Sequence, residues 1–237
     1  MNKFALLLAT ATCVAGISQA QALTVTQTTR DTLNTPFTPG TGNLSDDFAI
    51  TRIVETNVNN NNIEIGIKGK QRFQGQAGVG GSGTLYTVQP GISTVSGTDL
   101  TPDPTRAWWN FDYSIDLGER NFENTDVVLT IIDPEADTYT LDFGPAIDFE
   151  FGSGTAATLS VIQNSWNIGF DFINTGGLGT FQPNLAGDYE ISISVSDAAS
   201  TTLLGSQSIT VRVVPTPAAF GAGLIGMGAV LLRRRTA

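Results

Sequence analysis

The chemistry open to this chain is set first by what it lacks: its 237 residues contain no His and a single Cys, Cys13. Without imidazole there is no Ser-His or Cys-His nucleophile pair, no His-ligated zinc and no ordinary neutral-pH general base. What remains is carboxylate, hydroxyl and aromatic chemistry. Asp133-Pro134-Glu135-Ala136-Asp137 sets three carboxylates at alternate positions, with Asp142 following, and a hard cation such as Ca2+ draws its oxygen ligands from such clusters. The spacing is not that of an EF-hand, because Thr138 stands where its Gly belongs and Gly144 where its bidentate acid belongs. No cofactor is therefore required; Ca2+ at Asp133, Glu135 and Asp137 stands beside a plain solvated acidic turn. Asp148 and Glu150 flank Phe149 on one face of an extended segment, as paired glycosidase carboxylates would, yet Ile147, Phe149 and Phe151 read equally as a piece of core. Ser82 in Gly80-Gly81-Ser82-Gly83-Thr84 lacks both the closing Gly of a nucleophile elbow and a His to activate it. The chain does not read as an enzyme, and a carboxylate glycoside hydrolase is the least favoured of its functions. Trp108 offers a different chemistry. Its neighbour Trp109 takes the opposite face of the same strand and leaves Trp108 with Arg106, Asn110 and Asp112. There an exposed indole stacks on a sugar ring, as in a carbohydrate-binding module, or is covered by a loop or a second sheet.

The elements that must position these groups are strands. With 26 Gly, 14% charged and 41% hydrophobic residues, the composition argues against a helical bundle and against wholesale disorder. Period-2 alternation runs through Leu23–Thr29, Ile63–Ile67, Arg106–Leu117, Asp126–Ile132, Trp166–Phe172, Tyr189–Val195 and Ile209–Val213. In the clearest of these, Trp109, Phe111, Tyr113, Ile115 and Leu117 face a core, while Trp108, Asn110, Asp112, Ser114 and Asp116 face away. Turn signals at Asn59–Asn62, Gly78–Gly83, Asp133-Pro134 and Gly176-Gly177 separate the segments. Many short strands so punctuated predict an all-β antiparallel sandwich over residues 23–213, with a division into subdomains left open near 75–104.

The two ends read as addresses. Lys3, the uncharged run Phe4–Ile17 and Ala20-Gln21-Ala22 form a secretory signal peptide over residues 1–22, with Ala20 and Ala22 as the small residues of the cleavage site. At the other end Val214-Pro215-Thr216-Pro217 precedes 15 uncharged residues, 218–232, and then Arg233-Arg234-Arg235. As a helix that run spans about 22 Å against a hydrocarbon core of roughly 30 Å, a marginal membrane span with its arginines on the cytoplasmic side. Setting aside Lys3 and the three C-terminal arginines leaves 8 of the 12 basic residues against all 22 acids, a net charge of −14 between the signals. Nucleic acid is not a partner for such a surface.

Pro-containing tetrapeptide, short Gly/Ala-rich helix and basic cluster in that order resemble a PEP-CTERM sorting signal, the tail that bacterial exosortases process on exported proteins; Thr216 stands where that signal usually has Glu. The half from Trp108 onward resembles a recurrent pattern in exported PEP-CTERM proteins: Trp109-Asn110-Phe111, then Asn164-Ser165-Trp166-Asn167-Ile168-Gly169-Phe170, then Gly187-Asp188-Tyr189. The resemblance implies an immunoglobulin-like sandwich flanked by a signal helix and a C-terminal membrane helix. It also implies an exosortase-type processing enzyme as partner, a membrane contact through residues 218–232, and a place on the cell surface, in the outer envelope or in the extracellular matrix. Gly187-Asp188-Tyr189 further resembles the corner at which a Tyr hydroxyl pins a turn of such a sandwich. The expected role is structural or adhesive; the alternative is a module that binds extracellular polysaccharide, with or without Ca2+.

Overall fold

The computed structural model describes residues 23–39, 44–56, 61–73, 79–94, 98–144, 158–180, 182 and 185–215. The expected leader with Ala20 and Ala22, residues Asp148 and Glu150, and the tail from Thr216 through Pro217 and helix 218–232 to Arg233, Arg234 and Arg235 lie outside them. Twelve strands carry the described chain: β1 (Leu23–Asp31), β2 (Phe48–Glu55), β3 (Asn61–Gln71), β4 (Leu85–Val88), β5 (Ile92–Thr94), β6 (Pro102–Ala107), β7 (Trp109–Asp116), β8 (Thr125–Ile132), β9 (Thr138–Asp142), β10 (Val161–Asn167), β11 (Gly187–Asp197) and β12 (Leu203–Val213). They form two five-stranded sheets, β1-β2-β3-β7-β10 and β4-β12-β11-β8-β9, with β5 and β6 as a separate ribbon. Every pairing is antiparallel except that of β4 with β12. The fold is thus all-β, and among the described residues no helix is long and apolar enough to cross a membrane.

Alternation explains the sandwich. Ile63, Ile65 and Ile67 of β3, with Trp109, Phe111, Tyr113 and Ile115 of β7, turn inward from one sheet. Val127, Leu129 and Ile131 of β8, with Ile191, Ile193 and Val195 of β11, turn inward from the other. Both sets belong to one buried cluster running from Ala49 to Val213. Strand pairings join the chain before residue 75 to the chain after 104, β3 lying against β7. Trp109 meets Tyr189 edge-on across the sheets at 5.0 Å, and Trp166 sits among Phe111, Tyr113, Phe143 and Phe172. Such aromatic packing contributes beyond the area it buries.

Two sequence expectations need correction. The polar side of β7 does not face solvent, since Asp112 and Ser114 are as buried as the core. Residues 32–38, which follow β1, cross that face as a strap. Leu33 and Phe37 pack with Phe48 and Ile50, the Asn34 amide donates to Glu64 at 2.9 Å, the Thr35 hydroxyl donates to Asp116, and the Thr38 amide donates to Gln163 at 3.2 Å. Gly66 permits this crossing, because a Cβ there would lie 2.5 Å from Leu33. The second correction concerns Trp166–Phe172, where β10 stops at Asn167 and Asp171–Ile173 form a single helical turn that leads into a wider turn over Asn174–Leu178. Asn167 uses its side chain on neighbouring backbone, which competes with continuing the ladder.

At the sheet edge, a bulge in β1 turns Arg30 (φ 58°) toward the second sheet. Its guanidinium lies 3.8 Å above the Tyr86 ring, donates to Asp47 Oδ2 at 2.7 Å and to the Leu85 carbonyl at 2.7 Å, and so ties β1 to β4.

Candidate functional site

Asp133 follows β8, and the hairpin to β9 is closed by its carboxylate: Oδ1 accepts the amides of Glu135 and Asp137, each at 2.9 Å, while the Asp133 amide donates to the Asp137 carbonyl at 3.0 Å. Ala136 takes the left-handed conformation (φ 69°) that this tight turn requires. One carboxylate oxygen each from Asp133, Glu135 and Asp137 lies within 4.8 Å of the others, with Asp133 buried and the other two exposed. The structure thus brings together the three residues named from sequence. Ca2+ needs six to eight oxygens, of which this group offers a minority, so water and carbonyls would complete any shell. The same geometry closes the hairpin without an ion. Tyr189 borders the turn, and its phenol is pushed up by burial first and by the nearby charges of Asp133 and Glu135 second.

Trp108 occupies the break between β6 and β7. Its amide donates to the Gly91 carbonyl at 2.9 Å, and its carbonyl accepts the Arg72 amide at 2.9 Å and Gln71 Nε2 at 2.6 Å. The residue is half-buried, and its companions Asp112 and Ser114 lie under the strap. Of the tail signal, Val214 and Pro215 are described; the Val214 amide donates to the Val88 carbonyl at 2.9 Å beside the end of β12.

A cleft that the sequence reading did not identify lies between β6 and the turn after β10. Pro104 and Thr105 form one wall; Gly169, Asp171, Asn174, Thr175, Gly179 and Thr180 form the other, around a volume of about 460 Å³. Its walls are held by Asn167, which is fully buried. Oδ1 accepts the amides of Ala107 (2.7 Å) and Gly169 (2.9 Å), and Nδ2 donates to the carbonyls of Ala107 (2.8 Å) and Trp109 (3.1 Å) and to Asn110 Oδ1 (2.8 Å). Gly169 is needed where the walls meet, since a Cβ would lie 2.4 Å from the Thr105 carbonyl oxygen. The far wall is braced by Gly177, whose φ of 152° and closeness to the Thr138 carbonyl exclude a side chain. The motif Asn164–Phe170 was visible in the sequence, but only the fold shows that its Asn and Gly shape a cleft.

No protein-family model and no curated protein matches this chain. A solved structure described as an immunoglobulin-like protein from Pseudomonas aeruginosa is similar over 52% of this chain and 90% of its own, at 12% sequence identity and a TM-score of 0.25.

Proposed function

We propose that this is an exported surface or matrix protein whose folded part is an immunoglobulin-like sandwich of structural or adhesive type, delivered by its terminal signals and processed by an exosortase-type enzyme. The observation that carries the proposal is where the sandwich lies. Every described strand lies within Leu23–Val213, and β12 ends at Val213, with Val214 and Pro215 following outside any strand. A cut within Val214–Pro217 would therefore leave β12 whole. The immunoglobulin-like reading is supported by strand order: β12-β11-β8 run as an antiparallel trio, β7 and β10 pair in the opposite sheet, and β4 lies parallel to the last strand. Terminal mass spectrometry of the protein from its native host tests the proposal. Leu23 as first residue and a last residue within Val214–Pro217 are expected. An unprocessed Met1 would overturn export, and a chain ending in Ala237 would overturn processing of the tail.

A second reading is favoured by the meeting of the three carboxylates: the turn at Asp133, Glu135 and Asp137 holds Ca2+ and stiffens the hairpin. Millimolar Ca2+ should then raise the melting temperature beyond NaCl of matched ionic strength, since a ligand at 100 times its Kd contributes about 2.7 kcal/mol to the native state. Equal shifts would leave only screening of the acidic surface.

A further inference from the structure

We propose that the cleft between Pro104-Thr105 and the turn from Gly169 to Thr180 binds a neutral, hydroxyl-rich ligand, a sugar unit of a glycan. The inference goes beyond the sorting role and stands or falls independently of it.

Size is the first argument. About 460 Å³ lies in the range of small-molecule sites, roughly 300 to 1,000 Å³, and accommodates one or two pyranose rings. The chemistry of the lining is the second. The Thr105 hydroxyl already donates to Asp103 at 2.6 Å, the Thr175 hydroxyl to the Asp171 carbonyl at 2.7 Å, and Asn174 Nδ2 to the Phe170 carbonyl at 3.1 Å. The two hydroxyl protons are thereby committed and their oxygens offer lone pairs, Asn174 offers its Oδ1 beside a second Nδ2 hydrogen, and Asp171 adds an exposed carboxylate that accepts only. Among the described residues lining the cleft there is no Lys or Arg. A wall richer in acceptors than in donors, with an exposed carboxylate and without a cation, is complementary to hydroxyl groups that both donate and accept, as those of a sugar do, and it disfavours an anion. Pro104 and the two glycines supply surface suited to the C–H face of a ring.

Preorganisation is the third argument. Asn167 locks both walls through buried hydrogen bonds, and Gly176 and Gly177 seat the far turn against Tyr139 and Thr138. The cleft is therefore formed before any ligand arrives, and little ordering cost opposes binding.

Amide-shift mapping of the full chain tests the assignment. Glucose, galactose, mannose, N-acetylglucosamine and their β-linked disaccharides serve as neutral probes, with glucuronate and ethanolamine as the anionic and cationic ones. The expected result is a saturable millimolar shift of the Thr105, Gly169, Thr175 and Gly179 amides with at least one neutral probe. A disaccharide that binds better than its monosaccharide identifies a chain rather than a free sugar as the source. Asp171→Asn should weaken that binding by roughly ten- to a hundredfold with an unchanged melting temperature, since the carboxylate has no partner among the described residues. No saturable shift with any neutral probe, shifts elsewhere in the sandwich, unaltered affinity in Asp171→Asn, or tighter binding of glucuronate or ethanolamine would each overturn the proposal.

Discussion

Among the described residues two carboxylates, Glu55 and Asp112, are fully buried, and the fold treats them in opposite ways. Glu55, at the end of β2, receives the Arg120 fork through Nε (2.7 Å) and Nη2 (2.8 Å) and the Asn61 amide at 2.8 Å, while Arg120 also donates to Asp197 at 3.0 Å. Asp112, midway along β7, faces two lysines, with Lys70 Nζ at 2.9 Å and Lys68 Nζ at 3.8 Å, and the Ser165 hydroxyl of the neighbouring β10, with no planar fork to take both its oxygens. Lys68 directs its ammonium to the carbonyls of Leu44 (2.6 Å) and Asp46 (3.2 Å) and lies 4.3 Å from the Phe48 ring centre. The titrations diverge accordingly. Burial pushes Glu55 upward, but the bonds from Arg120 and Asn61 outweigh it and hold the carboxyl below its usual range. Burial pushes Asp112 upward, and Lys70, Lys68 and the Ser165 hydroxyl offset this only in part, so its carboxyl lies above the usual range. The number of neighbouring cations is not what decides. A planar guanidinium satisfies two oxygens at once, whereas ammonium point charges do not.

The largest expected effect comes from Arg120→Ala, which strands Glu55 and should lower the unfolding free energy by about 3 to 5 kcal/mol, read from denaturant midpoints. Arg120→Lys should recover less than half of that loss. A smaller effect separates the two sites by pH. Because the folded pKa of Glu55 is depressed, its contribution is present above the ordinary carboxylate range and lost as pH falls through the folded value; Glu55→Gln should flatten the acid limb of a melting-temperature profile. Because the folded pKa of Asp112 is raised, its native form keeps a proton that the unfolded chain has released. Stability on its account is therefore full below the ordinary range and falls as pH rises through the folded value. Asp112→Asn should remove that decline, and at neutral pH it should cost less than Glu55→Gln, because the attraction of Lys68 and Lys70 that it removes is offset by the burial cost of the carboxylate it removes. Equal losses in the two carboxylate variants at neutral pH would refute the contrast. The smallest effect belongs to Arg212→Ala at the exposed pair with Asp188 (2.7 Å), where no change in midpoint is expected.

The contrast also marks where sequence stops being informative. The core face of β7 was legible because Trp109, Phe111, Tyr113 and Ile115 alternate, and all four are buried. The opposite face was not, because its cover comes from Leu33 and Phe37, remote in the chain and without periodicity. The turn at Asp133 was legible because an Asp-Pro start and alternating acids are local signals, and a hairpin brings alternate residues together. The end of β10 was misread because Trp166, Ile168, Phe170 and Phe172 continue the alternation, and only the bonds of Asn167 to Ala107 and Trp109 end the strand. The cleft joins segments on either side of β7 through β10, so no local pattern could announce it.

The parallel placement of β4 beside β12 has a mechanical consequence. Were the chain held by its tail, tension would enter at Val214 and run along the axis of β12. On one flank it meets the ladder from Gly187–Val213 to Ser196–Leu203, and on the other the rungs from Thr210–Leu85 to Val213–Val88. Both flanks are then loaded in shear, so their rungs must fail together rather than peel one by one. With Leu23 of β1 opposite Glu55 at the other end of the sandwich, a pull between Leu23 and Val214 would load both sheets.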